Sequence, residues 1–281
     1  MNKSTIIKIL SMILILFIIV LLFFNLNKHN TEYFEQEYPY KMSVLAIFKN
    51  ETMNLKVWLD HYLWQGIDHF YLIDNDSEDN PDIILKPYIQ KGLVTLYKFP
   101  EKYMQVEHYK NLWGLENLPS KTKWLIMADL DEFWFSPNSK LSSVINEYDN
   151  YDLIYSNWYM FGSDGLTNHP NDIRTDITRR EFDLSVATKW ICKPIKMDLS
   201  DLFIHNFYND DKYKKIIVND KIHLNHYPIQ SKEFYEKVKM DRGDVTVKEL
   251  NNIRNWDYFE TYDKNAVHED TLLKDMILNN K

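Results

Sequence analysis

The sequence predicts an α/β fold, a single domain on a Rossmann-like, mostly parallel sheet, preceded by an N-terminal transmembrane helix. Three observations carry this. Short apolar runs alternate with helix-periodic segments between residues 42 and 128. Those runs show no polar alternation, as expected of strands covered on both faces. An almost unbroken apolar stretch lies near residue 1.

From Ile9 to Phe24 only Ser11 is not strongly apolar, and Thr5, Ile6 and Ile7 extend the run across Lys8. About 20 such residues span a bilayer. The run ends in "FFNLNKHN", without the small-x-small site of a cleaved leader, so an uncleaved signal anchor is expected. Lys3 and Lys8 precede it and Glu32, Glu35 and Glu37 follow, which favours a cytoplasmic N-terminus and a type II single-pass protein. The expected divisions are a tip and anchor at 1–26, a stem at 27–40 and one globular domain at 41–281. The domain would face the Golgi or endoplasmic reticulum lumen in a eukaryotic host, or sit at the inner membrane of a bacterium.

In the globular part, "MSVLAIF" (42–48) reads as a buried strand, and Leu55, Trp58, Leu59 and Tyr62 recur at helical spacing until Gly66. "DHFYLI" (68–73) is a second strand. Asn80 is the expected cap of the next helix, with Pro81 at its first position, Pro87 kinking or shortening it and Gly92 stopping it. "LVTLYKF" (93–99) is a third strand, 103–117 is helix-compatible, and "WLIMA" (124–128) is a fourth strand. The second half is less regular: "YDLIYSNWYMFGSDG", a mixed region at 166–200, "KIHLNHYPI", a helix-like segment from Ser231 and a charged tail that folds back as a short helix.

Composition narrows the function. The 281 residues carry net charge −8 with 45% hydrophobic and 15% aromatic content, enough for a sizeable core. An acidic chain without a Lys/Arg block gives no electrostatic support for a nucleic-acid partner. The single Cys192 excludes an intramolecular disulfide framework and a cysteine zinc cluster.

The chemistry concentrates in "WLIMADLDEFWF" (124–135), where Asp129, Asp131 and Glu132 lie between two apolar runs. Ligands of open α/β sheets bind beyond the carboxyl ends of the strands, and Asp129 follows the fourth strand directly. In extended chain an i, i+2 pair faces one side, so Asp129 and Asp131 point together while Leu130 anchors the loop in the core. Clustered carboxylates require compensation, and oxygen ligands suit manganese or magnesium. The alternative is a solvated acidic turn.

Other candidates lie at the same edge. Asn50 and Glu51 follow the first strand, and Asp74 and Asn75 follow the second, as nucleoside contacts or as turn and cap residues. Gly162, Ser163, Asp164 and Gly165 form either a close-approach loop or a plain turn. His226 completes a metal shell or is a satisfied core histidine. Lys193 and Arg242 are candidates to neutralise phosphate. Trp158 and Tyr159 make a sugar-stacking platform or part of the core.

The ordered series "AIFKNE", "WLDHYLWQGIDHFYLIDNDSED", "WLIMADLDEFWF", "NWYMFGSDG" and "LNHYPIQSKEFYEKVKMDRGD" resembles the GT-A glycosyltransferases of glycosyltransferase family 92 and the related family 2-like group, over roughly residues 42–245. The resemblance implies a single GT-A domain, a UDP-sugar donor (UDP-galactose in characterised relatives), a divalent metal, usually manganese, and inversion at the anomeric carbon. It gives Asp129 and Asp131 the metal and donor motif, Asp74 a nucleoside contact, Gly162 to Gly165 the acceptor-side loop and His226 the C-terminal metal ligand. Asp164 departs from the small residue usual there. Asp164, Asp183 and Glu132 are the base candidates, and no motif chooses among them. The expected partners are the UDP-sugar and a glycan, glycoprotein or glycolipid acceptor.

Two other readings fit parts of the sequence. In aspartate-based phosphatases Asp-x-Asp follows the first strand and continues to Thr or Val, whereas here three strands come first and Phe133 stands in that place. A membrane-tethered carbohydrate-binding protein that lost turnover is separated from an enzyme by activity alone.

Overall fold

The computed structural model describes residues 36–240, 242 and 254–279, together with 2, 14–18 and 20. The chain divides into two units, Met1–Glu37 and Tyr38–Lys281. Most of the predicted membrane span and stem lies outside the described residues. Among the described residues no helix is long and apolar enough to cross a membrane.

The first half follows the βα alternation: β1 (Tyr40–Phe48), α1 (Thr52–Trp64), β2 (His69–Asp74), α2 (Asp82–Gln90), β3 (Val94–Lys98), α3 (Gln105–Glu116) and β4 (Thr122–Met127). β1 pairs in parallel with β2 and with β4, and β2 with β3. The apolar runs serve two faces. Val44, Ala46 and Phe48 pack with Trp58, Leu59 and Tyr62 of α1. Leu45 faces the other way, with Tyr109 and Leu112 of α3.

Two local expectations are corrected. Asn80 makes no side-chain cap; it takes a left-handed backbone (φ 57°), and Pro81 has helical dihedrals before α2. Pro87 neither ends nor shortens α2, which runs on to Gln90. Proline removes one hydrogen bond, to the carbonyl of Ile83, and both residues lie on the exposed face, where water can satisfy that oxygen. Gly92 (φ 72°) ends the segment as expected.

The second half supplies β5 (Glu132–Phe135), β6 (Leu153–Met160), β7 (Arg179–Arg180), β8 (Thr188–Cys192), β9 (Lys215–Ile217), β10 (His223–His226), α4 (Trp256–Asn265), β11 (His268–Glu269) and α5 (Leu272–Asn279). β8 runs antiparallel between β4 and β6. β6 pairs in parallel with β9 and β10, and β10 runs antiparallel to β5. The order is β3-β2-β1-β4-β8-β6-β10-β5 with β9 beside β6, and β7 and β11 form a separate ribbon. The segment from Ser231 is helical as expected: Ser231 Oγ accepts the Phe234 N–H at 3.1 Å, and a π-helical turn, Tyr235–Met240, follows. The tail folds back as two helices, α4 and α5, with Leu273 of α5 in the main core.

Candidate functional site

A cavity of about 310 Å³ opens at the carboxyl edge of the parallel strands. Asp129 and Asp131 both line it, while Leu130 is fully buried in the core, as the i, i+2 spacing requires. Aromatic residues fix the acidic turn. Trp58 Nε1 of α1 donates to the carbonyls of Asp129 (2.9 Å) and Glu132 (3.1 Å), and the Tyr62 hydroxyl donates to Glu132 O at 3.0 Å. Tyr227 N–H, just after β10, donates to Asp131 O at 2.8 Å. Four hydrogen bonds thus tie the turn's carbonyls to α1 and to the end of β10.

Two buried lysines offset much of its charge. Lys189 of β8, with no side-chain exposure, donates to Asp129 Oδ2 at 2.8 Å and lies 3.6 Å from Glu132 Oε1. Lys239, in the π-helical turn, donates to Asp131 Oδ2 at 2.5 Å. His226 Nε2 lies 3.6 Å from Asp131 Oδ1. Burial pushes Asp131 upward, but Lys239 and His226 outweigh it and hold the carboxyl well below its ordinary range. Asp129 is likewise lowered, Lys189 overcoming burial. Glu132 goes the other way: burial drives it well above the ordinary value, against Lys189 and with help from both aspartates.

The donor set fits a hard divalent cation. Asp131, Glu132 and His226 present ligand atoms within 4.8 Å of one another. Asp131 gives Oδ2 to Lys239 and keeps Oδ1 toward His226, and Glu132 Oε1 is buried without a hydrogen-bond partner among the described residues. Asp129, expected as a ligand, is outside this group and is held by Lys189.

The remaining predicted residues divide. Glu51 lines the cavity, is 3% exposed and pairs with Arg242, which also lines it. Asn75 lines the cavity and ties its amide to the carbonyls of Phe99 and Glu101. Trp158 lines it at the end of β6. Asn50 and Asp74 do not: Asn50 accepts from Glu78 N–H at 2.7 Å, and Asp74 accepts from Ser77 N–H at 2.9 Å, which is the turn role. Lys193 turns away to Asp149 and lies over the Trp124 ring. Tyr159 stacks on His223.

The glycine loop packs against α4. A Cβ on Gly162 would lie 2.5 Å from that of Ala266, and Ser163 Oγ donates to Asp263 Oδ1 of α4 at 2.6 Å. Asp164 is spent on Thr178 N–H (2.8 Å), Thr178 Oγ1 (3.0 Å) and Arg179 N–H (2.9 Å). Neither it, Gly162, Ser163 nor Gly165 lines the cavity. Of the other base candidates, Asp183 is exposed outside the cavity and Glu132 is fully buried behind it.

Three functional candidates escaped the sequence reading: Lys189, His205 and Lys239. Lys189 left one signal, a lysine inside the strand-like "TKWIC". Lys239 and His205 left none, since each gains meaning from what it packs against.

The comparison with known families places this arrangement among the glycosyltransferases. The family model described as glycosyltransferase family 92 matches residues 38–276, and the chain belongs to that family. A glycosyltransferase family 92 protein of Ricinus communis is 25% identical over 206 residues, which cover 68% of this chain and 35% of the relative. One from Oryza sativa subsp. japonica is 23% identical, covering 70% of this chain and 35% of its own length. The chain thus spans about a third of these relatives. Among solved structures, S. aureus TarS 1–349 is similar at TM-score 0.45 and 13% identity, over 79% of this chain and 73% of that one. GalNAc-T7 with UDP, GalNAc and Mn2+ is similar at TM-score 0.41 and 13% identity, over 67% and 43%.

Proposed function

We propose that the chain is an inverting GT-A glycosyltransferase that moves a sugar, galactose first, from a UDP-sugar to a hydroxyl of a glycan, glycoprotein or glycolipid, anchored to its membrane by residues 1–26. Family membership supports the class. The observation that carries the site assignment is the Asp131–His226 pair, 3.6 Å apart on the wall of the carboxyl-edge cavity.

Asp131 and His226, with Glu132 behind them, would hold manganese or magnesium, and Asp129, paired with Lys189, lines the same cavity. When bound, the ion supplies positive charge to the diphosphate as it leaves. The chain's own residues do the rest. Lys239 fixes the Asp131 carboxylate through Oδ2, so that Oδ1 alone is offered. Lys189 keeps Asp129 ionised beside it. Lys49, Lys239 and Arg242 add positive charge to the cavity wall, where a diphosphate gains by it. The Trp158 face provides an apolar surface for a sugar ring.

The test follows UDP release from a panel of UDP-sugars by the full chain in detergent, with manganese, with EDTA and in Asp131→Ala. Release from one sugar, lost under both perturbations, is the expected result. Release that survives EDTA would give the charge-compensating role to Lys239 instead, and no release or binding of any nucleotide sugar would overturn the transferase reading.

A further inference from the structure

We propose that His205 is the general base of the transfer, taking the proton of the attacking hydroxyl on its Nε2. The inference rests on the transferase reading above. His205 lies in the loop after β8 and lines the same cavity as Asp129, Asp131 and His226. Trp158 contacts both histidines, with ring centroids 5.1 Å from His205 and 4.3 Å from His226.

The tautomer follows from one contact. His205 Nδ1 lies 3.3 Å from the carbonyl oxygen of Thr188, whose own Oγ1 donates to the His205 carbonyl at 3.0 Å. A carbonyl only accepts, so Nδ1 carries the hydrogen and Nε2 of the neutral ring keeps its lone pair. Burial lowers the imidazole to about 4, Lys189 and His226 adding to it and Asp129 and the Thr188 carbonyl opposing, so the ring is neutral near pH 7.

The carboxylates on the wall have other commitments. Glu51 is paired with Arg242, Asp129 with Lys189 and Asp131 with Lys239. Glu101 follows β3, and β2, β1 and β4 separate it from β8 in the sheet. Beside Trp158, His205 is left to accept a proton. The Trp158 Nε1–H, buried without a partner among the described residues, adds a donor open to a ligand or solvent.

The step balances. The acceptor oxygen bonds to the anomeric carbon, the bond from that carbon to the β-phosphate oxygen breaks, and UDP leaves with the electron pair. The acceptor's proton goes to Nε2 and then to water.

The assay is hydrolysis of the UDP-sugar that the panel identifies, in which water replaces the acceptor hydroxyl, run on the full chain with a parallel calorimetric titration of UDP. His205→Gln is expected to lower kcat about 10²- to 10⁴-fold with UDP affinity unchanged, and added imidazole to restore part of the rate in His205→Ala. Wild-type-like kcat in His205→Gln overturns the assignment. So does loss of UDP affinity in step with rate, or His205→Ala that folds, binds UDP and ignores imidazole. Turnover in wild type and His205→Gln alike overturns the base alone, whereas a wild-type chain that neither binds nor turns over any UDP-sugar overturns the transferase reading.

Discussion

Between Tyr40 and Phe135 the chain contributes mainly acids, Glu51, Asp129 and Asp131 at the cavity edge and Glu132 behind it, alongside Lys49; from Leu153 onward it contributes the cations and imidazoles that answer these acids, Lys189, His205, His226, Lys239 and Arg242. The first half is a regular parallel βα array in which side chains at strand ends are placed by the repeat. The second half is short strands and turns, and its residues reach the same edge by five different routes: from β8, the loop after it, β10, the π-helical turn and, for Arg242, the chain just past that turn. The difference teaches that the site is an electrostatic seam between the halves. Glu51, Asp131, Glu132, Lys189 and Lys239 are buried at a cost that the other half offsets.

Removing one side of the seam should have the largest effect. Lys189→Met leaves Asp129 and Glu132 without their buried cation, and a loss of about 3–5 kcal/mol is expected in urea unfolding followed by tryptophan fluorescence. A loss below about 1 kcal/mol would mean that the halves are held by apolar packing alone.

Gly162→Ala tests a contact inside the second half. The new Cβ meets Ala266 at 2.5 Å and Asp263 Oδ1 at 3.2 Å, so α4 must shift. The expected cost is about 1–3 kcal/mol, read as a lower midpoint in the same unfolding curve.

A smaller effect depends on pH. His169, in the second half, faces Asn54 Oδ1 of α1 at 3.0 Å and Ser231 Oγ at 3.3 Å. Burial lowers it to about 4 from 6.5 in the folded chain, with Glu233 opposing. As pH falls the unfolded chain therefore takes up this proton first, so the contribution is intact above about 6.5 and is lost toward 4. The partly exposed ring should contribute no more than about 1 kcal/mol per pH unit. His169→Gln should flatten the stability profile in that window, and an unchanged slope would remove His169 from the seam.

Least of all should follow from the exposed Lys56–Asp60 pair on α1, which lies away from the seam. Lys56→Ala is expected to change stability by under about 0.5 kcal/mol, and a larger loss in the unfolding curve would show that surface charge on the first half matters more than the seam argument allows.

The sequence by itself determined the parallel half. "MSVLAIF", "DHFYLI" and "WLIMA" are apolar on both faces because helices cover both, and Leu55, Trp58, Leu59 and Tyr62 mark the covering face of α1. It also determined that Asp129 and Asp131 share one side of the acidic turn and that Ser231 starts a helix, since spacing and capping are local. The antiparallel insertion of β8, the use of the glycine loop as a seat for α4 and the identities of the countercharges were decided only in the tertiary structure. The physical reason lies in range: periodicity reports which face a residue takes, but pairing Lys189 with Asp129 or Lys239 with Asp131 depends on strand order and on burial shared between segments 60 and 108 residues apart. The carboxylates could be read as needing a cation; that two of them are ammonium groups from the other half could not.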